Sequence, residues 1–280
     1  MNDTTAPPLV VKVNGETEPF DEEKLRISLA RTGASPGTID KVVEKLRREL
    51  PPRITTRRLY KRAFAFLKRG HRSAAARYSL SRAVRNMGPH GYAFERLVGA
   101  LFGAEGWEAD YDRTLPGMHV THEVDVIARG PKTLFMECKH RLRHGAKCDV
   151  KVALYVAARA ADLRAAVDAK RSDARPFDEF WLVTSGEFTL DAIAYAEGVG
   201  LKLLGWNHPE DNGLRLRIER AKLHPLTCLT SLDKRHKQAL IEKKVVLCRE
   251  LLEEPTLLTD VGVRNSRRVL AEIRSLLEGH

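Results

Sequence analysis

The 280 residues include only four cysteines, Cys138, Cys148, Cys228 and Cys248, and no C-x-x-C pair among them. That excludes a zinc knuckle and a thioredoxin-type redox motif. Buried thiols in a reducing, cytoplasmic compartment are the expectation. Aromatic residues make up 6% of the chain, and no ladder of them is spaced for stacking on a single nucleic-acid strand. No apolar run approaches the ~18–20 residues that span a bilayer, so no membrane partner is expected. The opening eight residues have neither a basic start nor an apolar segment, which argues against a secretory signal. There is no G-x-x-x-x-G-K-[ST], so phosphate binding of the P-loop kind is excluded. Low-complexity tracts and fixed-period repeats are absent too.

What is present is an ordinary globular composition, 43% hydrophobic and 30% charged, in a chain long enough for two domains or one with an appendage. The net charge of +11 is unevenly placed. Residues 1–88 hold nineteen Lys and Arg against nine Asp and Glu, whereas residues 89–207 hold fifteen against seventeen. Residues 208–280 add a balance of +3. A basic first third beside a near-neutral middle points to a polyanionic partner: nucleic acid, nucleotide phosphates, or both.

Three segments follow from the patterning. In residues 1–88, Leu9–Val13 reads as a strand, Asn14-Gly15 as a hairpin turn, and a second strand ends near Phe20. Helices follow: one from Asp21, one carrying Val42, Val43, Leu46 and Leu50, one over Arg57–Lys68 opened by Ile54-Thr55-Thr56, and one over Ser73–Val84. Met87-Gly88-Pro89-His90-Gly91 is a breaker-rich linker. In residues 89–207, Phe94, Leu97, Val98, Leu101 and Phe102 make one buried helical stripe. Strands are expected near Trp107–Tyr111, Glu123–Ala128, Thr133–Lys139, Phe180–Thr184 and Leu201–Leu204, with helices over Lys151–Lys170 and Thr189–Glu197. The last strand–helix–strand stretch predicts a right-handed crossover. In residues 208–280, Leu214, Leu216 and Ile218 alternate like a strand. Helices are expected over Lys234–Ile241, Val245–Leu252 and Ser266–Leu277.

Of the three Glu-x-Lys tripeptides in the chain, only Glu137-Cys138-Lys139 ends an apolar β run. Strand alternation sends Glu137 and Lys139 to one face. In the preceding strand Glu123 and Asp125 share a face opposite Val124, Val126 and Ala128. The short turn between these strands makes them antiparallel neighbours, which can bring Asp125 close to Glu137. Two adjoining carboxylates suit a hard cation such as Mg²⁺, which keeps several waters and a phosphate oxygen. Such an ion polarises a phosphodiester and activates a bound water. Lys139 can position that water or neutralise developing charge. These parts suffice for metal-dependent phosphodiester hydrolysis, and a hairpin with exposed alternating charges is the competing account. His122 faces away from Asp125 and suits packing. Lys139, His140, Arg141, Arg143, His144, Lys147 and Lys151 form a basic run suited to phosphates.

The order Gly91-Tyr92-Ala93-Phe94-Glu95, His122-Glu123-Val124-Asp125-Val126, Phe135-Met136-Glu137-Cys138-Lys139 and Trp181–Thr189 resembles the PD-(D/E)xK nuclease pattern, closest to the Mrr-like restriction endonucleases, over about residues 91–206. The resemblance implies Asp125 and Glu137 as Mg²⁺ or Mn²⁺ ligands, with the Cys138 backbone carbonyl completing the shell. It implies Lys139 as the catalytic lysine and Glu95 as a supporting carboxylate. Glu137 stands where many Mrr-like members carry Gln.

The run from Val11 to Leu25, with Thr56, Tyr60 and Ala76–Arg82, is similar to the ATP-cone, a regulatory nucleotide-binding module, over about residues 9–84. That similarity implies ATP or dATP as effector, contacted by Lys12, Glu18, Asp21, Lys24 and Thr56. Val13 and Tyr60 replace a basic residue and a histidine common in that family. Val261-Gly262-Val263 ahead of Arg264, Arg267 and Arg268 resembles a helix-hairpin-helix turn, which can offer backbone N–H groups to a phosphate.

The expected architecture is a multidomain α/β chain. Residues 1–88 form an ATP-cone-like hairpin and helical bundle, residues 89–207 a restriction-endonuclease-like mixed sheet, and residues 208–280 a helical segment. The expected activity is Mg²⁺-dependent DNA endonuclease action under nucleotide control, in a monomer or a homo-oligomer. A nucleotide-responsive DNA-binding regulator with a non-catalytic nuclease fold is the alternative.

Overall fold

The computed structural model describes residues 7–12, 14–30, 34–143, 145–171 and 173–278. Val13, expected to end the first strand, and His144 of the basic run lie outside them. The chain divides into two compact units. One holds residues 1–80, 228–233 and 264–280; the other holds residues 81–227 and 234–263.

The first unit opens with β1 (Leu9–Val11) antiparallel to β2 (Thr17–Pro19), then α1 (Glu22–Ala30) and α2 (Pro36–Glu49). Gly15, at φ +87, closes the hairpin by donating its N–H to the Lys12 carbonyl at 3.1 Å. Helix α2 starts on a Ser35 cap followed by Pro36, a residue preorganised for a first turn. Ile54 and Thr55 are extended just ahead of the helix that Ile54-Thr55-Thr56 is expected to open. They form β3 (Arg53–Thr55), parallel to β1, with Ile54 opposite Val10 and 3% exposed. Pro51-Pro52 ends α2, and the β-branched pair that follows favours extended backbone. Thr55 then caps α3 (Thr56–Gly70) by accepting the Arg58 N–H. The single helix expected over Ser73–Val84 is two, α4 (Arg72–Tyr78) and α5 (Leu80–Arg85). They break at Ser79, whose hydroxyl donates to the Ala76 carbonyl at 3.0 Å, competing with the helical ladder. Leu25, Leu29, Val42, Val43, Leu46 and Leu67 share the core.

The second unit contains α6 (Tyr92–Ala104), β4 (Glu108–Pro116), β5 (Thr121–Arg129), β6 (Thr133–Lys139), β7 (Lys147–Cys148), α7 (Val150–Asp168), β8 (Glu179–Thr184), β9 (Glu187–Phe188), α8 (Leu190–Val199) and β10 (Lys202–Leu204). The α6 stripe Phe94, Leu97, Val98, Leu101 and Phe102 is at most 2% exposed. Five strands form one mixed sheet in the order β10-β8-β6-β5-β4. Strands β4, β5 and β6 are successive antiparallel neighbours, while β6, β8 and β10 run parallel. Helices α7 and α8 make the crossovers and pack on each other. The parallel pair β7–β9 has two residues per strand, too few to carry a readable pattern.

Asp162 on α7 ties down the connection between β4 and β5. It accepts the His119 N–H at 3.1 Å and bonds His122 Nε2 at 2.8 Å. Gly117 is required there, because a Cβ would lie 2.1 Å from Asp162 Oδ2 and 2.6 Å from the Val120 carbonyl. His122 thus has the packing role expected of it. Its bond holds the Asp162 carboxyl below the usual carboxylate range. Asp162→Ala is expected to lower the melting temperature by several degrees at neutral pH. That difference shrinks as pH falls through the depressed Asp162 pKa. Circular dichroism melts at pH 7 and pH 3 check it.

Residues 208–280 are divided between the two units. The stretch expected as a strand is α9 (Leu214–Arg220), in the second unit. Leu214, Arg217 and Ile218 are its buried residues, a helical spacing. Arg217 tolerates burial because its guanidinium grips both Glu105 oxygens and lies 4.6 Å over the Phe102 ring. Then come α10 (Lys234–Glu242), α11 (Glu250–Glu253), α12 (Thr256–Asp260) and α13 (Ser266–Glu278). The helix expected over Val245–Leu252 shrinks to α11. Val246 and Leu247 instead donate their N–H groups to Glu250 Oε2 at 2.8 and 2.6 Å. Helix α13 packs on α4 within the first unit, and Glu272 there accepts the Thr230 and Ser231 N–H groups. All four cysteines are buried thiols outside any disulfide. Among the described residues no helix is long and apolar enough to cross a membrane.

Candidate active site

Strand β6 is buried from Leu134 through Cys138, so Glu137 enters the interior as part of an apolar strand, with 3% exposure. Glu137 is compensated on both oxygens. Lys139 Nζ lies 2.5 Å from Oε1, and Arg159 Nη1 donates to Oε2.

Asp125 sits where the sheet loosens. The β5–β6 ladder ends at Val126↔Met136, one residue short of Asp125 and Glu137. The β4–β5 ladder passes over Asp112 and Asp125, and Asp112 takes φ +51. Strict alternation fails at this point. Val124 shares a core cluster with Ile127 and Phe135, which even pleating forbids. Freed from the ladder, the Asp125 carboxylate accepts the Cys138 N–H at 2.6 Å. Burial, then the Glu137 charge, push its pKa up to about 6.

Glu95 stands in the first turn of α6, its Oε1 folded back over Gly91, where a Cβ would meet it at 2.5 Å. Burial, then the charges of Asp125, Asp112 and Glu123, raise its pKa to about 8. A carboxyl with a raised pKa costs stability once it must ionise. In the metal-free protein, stability should therefore decline as pH rises past 5, and Glu95→Gln should remove the part of that decline between about pH 6 and 8. Melting curves in EDTA between pH 5 and 9 check this.

Among the described residues no group of three or more His, Cys, Asp and Glu side chains is arranged to hold a metal ion. The donors that are present nonetheless fit a hard cation. Asp125 and Glu137 supply carboxylate oxygens, and Mg²⁺ takes one or two carboxylates while keeping its waters. Burial first and the Glu137 charge second raise the Asp125 pKa, and a cation would offset both.

Sequence reasoning missed Arg159. On α7 it occupies the buried stripe Ala153, Val156, Arg159, Leu163 and Ala166, and an arginine at an apolar-period position was the available signal. In the basic run, His140 and Arg141 turn inward. His140 Nε2 bonds the Val84 carbonyl and its ring stacks on Phe94, while Arg141 donates to Cys148 Sγ. Arg143, Lys147 and Lys151 are exposed.

In the first unit, the five residues implied as nucleotide contacts lie around the start of the hairpin sheet. Lys12 Nζ is 2.8 Å from Glu18 Oε2, and Lys24 Nζ reaches the same oxygen at 3.5 Å and Asp21 at 3.6 Å. The Thr56 hydroxyl donates to the Val11 carbonyl at 3.2 Å. Lys12 lowers the Glu18 pKa, and the Lys24 N–H lowers that of Asp21.

Comparison with known proteins gives three matched regions. Residues 8–87 match the ATP cone domain, residues 84–208 the restriction endonuclease family, and residues 224–277 the AF1548-like C-terminal family. An uncharacterized protein of Archaeoglobus fulgidus is 29% identical over 182 residues, which are 98% of that protein and 63% of this chain. A crystal structure of the protein of unknown function AF1548 has a TM-score of 0.56 and 28% identity, covering all of that chain and 68% of this one. The chain thus joins a region that matches the ATP cone domain to one that matches the restriction endonuclease family, with a segment matching the AF1548-like C-terminal family after them.

Proposed function

We propose that the protein is a Mg²⁺- or Mn²⁺-dependent endonuclease that hydrolyses DNA phosphodiester bonds, with ATP or dATP bound by its first unit as effector. The observation that carries this reading is the Asp125 carboxylate on the Cys138 N–H at 2.6 Å, next to Glu137 where the β5–β6 ladder ends, with Lys139 Nζ 2.5 Å from Glu137. Asp125, Glu137 and the Cys138 carbonyl would hold the ion. Once bound, it supplies Lewis acidity to the phosphodiester and a lowered pKa to a coordinated water. Lys139 is one-third exposed; its ammonium orients an incoming water or offsets charge developing on the phosphate. Glu95, protonated up to about pH 8, holds a proton beside Asp125.

Arg143, Lys147 and Lys151, all exposed, suit phosphate contacts that position a strand without reading its sequence. Lys147→Ala should weaken DNA binding alike for unrelated sequences and reduce the slope of log affinity against log salt by about 1.

Plasmid incubated with Mg²⁺ and ATP or dATP, each omitted in turn, tests the whole reading on a gel. Nicked or linear product that needs the metal supports it. Retarded DNA without product, at every metal and nucleotide combination, would favour a DNA-binding regulator built on the nuclease fold.

A further inference from the structure

Glu137 and Arg159 form a buried ion pair that the hydrolytic reading does not use. Arg159 is 9% exposed. Its Nη1 donates to Glu137 Oε2 and its Nη2 to the Glu123 backbone carbonyl, while Nε is buried with no hydrogen-bond partner. A buried guanidinium left one bond short is not a well-satisfied structural anchor. Its position is informative: it occupies Oε2 of the buried carboxylate whose other oxygen Lys139 holds.

We propose that Arg159 is the resident counter-ion of the metal site, standing in for the divalent cation at Glu137 and opposing its entry. This rests on the reading of Asp125 and Glu137 as metal ligands. Without a cation, Glu137 is paired with Lys139 on one oxygen and Arg159 on the other. When a divalent ion approaches, the Arg159 charge repels it and Glu137 Oε2 is already occupied, so part of the binding free energy goes into displacing the guanidinium. The paired guanidinium already faces solvent on one side through Tyr155, one turn earlier on α7 and 56% exposed, its carbon 5.5 Å from the ring centroid, a geometry suited to cation–π contact. The arrangement raises the metal concentration the site requires and keeps the empty carboxylates from collapsing.

The test uses the full chain, stripped of metal, titrated with Mn²⁺ by calorimetry and melted with and without Mn²⁺. Arg159→Gln removes the charge and keeps an amide donor. It should bind Mn²⁺ about tenfold more tightly, with a lower metal-free melting temperature and a wider gap between metal-free and Mn²⁺-loaded melts. Arg159→Lys keeps the charge and should bind within about threefold of wild type. If Arg159→Gln binds Mn²⁺ no better than wild type and both melts fall equally, Arg159 is a packing residue and the proposal is wrong. If either variant loses affinity tenfold or more, the guanidinium props Glu137 for the ion instead, which also overturns it. Were wild type itself to bind no Mn²⁺, this proposal and the metal-dependent reading would fall together; the other outcomes touch only Arg159.

Discussion

Asp125→Asn is expected to abolish metal-dependent cleavage while making the metal-free protein more stable above pH 6. The two effects have opposite signs because they arise from one charge. In the metal-dependent reading proposed above, the Asp125 carboxylate holds the ion, and the loss of several kcal/mol of transition-state stabilisation at 1.36 kcal/mol per tenfold gives a rate loss of about a thousandfold or more. The same carboxylate is costly to the empty fold. Its pKa is raised to about 6 by burial and by Glu137, so ionising it in the folded state costs on the order of 2–3 kcal/mol relative to the unfolded chain. Below pH 4 both states are protonated and the cost vanishes; it grows between pH 4 and 6 and is complete above. Asparagine never pays it, and its amide oxygen can still accept the Cys138 N–H that Asp125 accepts at 2.6 Å. The gain in melting temperature in EDTA should therefore be several degrees at pH 7.5 and near zero at pH 4. Cleavage that survives the substitution would remove Asp125 from the metal site. A variant less stable at pH 7.5 than at pH 4, relative to wild type, would show that its hydrogen bond outweighs its charge.

How much of this was readable in advance depends on whether local chemistry or tertiary context decides each element. The α6 stripe, β6 and the crossover through α8 follow the patterning closely, because each is an apolar period ended by its own breaker; Gly200 at φ +74 stops α8 in this way. The failures lie where a distant partner overrides the pattern. Leu214, Leu216 and Ile218 alternate convincingly, yet Glu105 pulls Arg217 inward and makes a helix of them. Val124 breaks alternation because Asp125 leaves the ladder for the Cys138 N–H. Even pleating would have placed Asp125 and Glu137 on one face for the wrong local reason. Lys12, Glu18, Asp21 and Lys24 could be placed together from the hairpin turn and the helix start, since both are short-range signals. Arg159 could not be assigned to Glu137, because twenty-two positions separate them and no periodicity encodes which helix turn covers which strand.

Replacing both Lys12 and Lys24 with alanine should eliminate the nucleotide response of the first unit while leaving nucleotide-free cleavage intact. The two ammonium groups share Glu18 Oε2 at 2.8 and 3.5 Å, so two cations already stand at one point. A triphosphate carries enough charge to take both from Glu18, and charge-assisted hydrogen bonds to phosphate are the strong ones. Losing one lysine should weaken ATP or dATP by roughly ten- to hundredfold, and losing both should weaken it more. Glu18→Gln gives the converse. Both lysines stay and their competing anion is gone, so phosphate affinity should rise unless Glu18 itself contacts ribose or base, in which case it falls. Ligand that binds only the folded state raises its melting temperature in proportion to the logarithm of ligand over Kd. ATP and dATP should therefore each shift the wild-type melt upward and leave the double variant unmoved. An equal shift in wild type and double variant would place the nucleotide elsewhere and leave the cone without the ligand proposed for it.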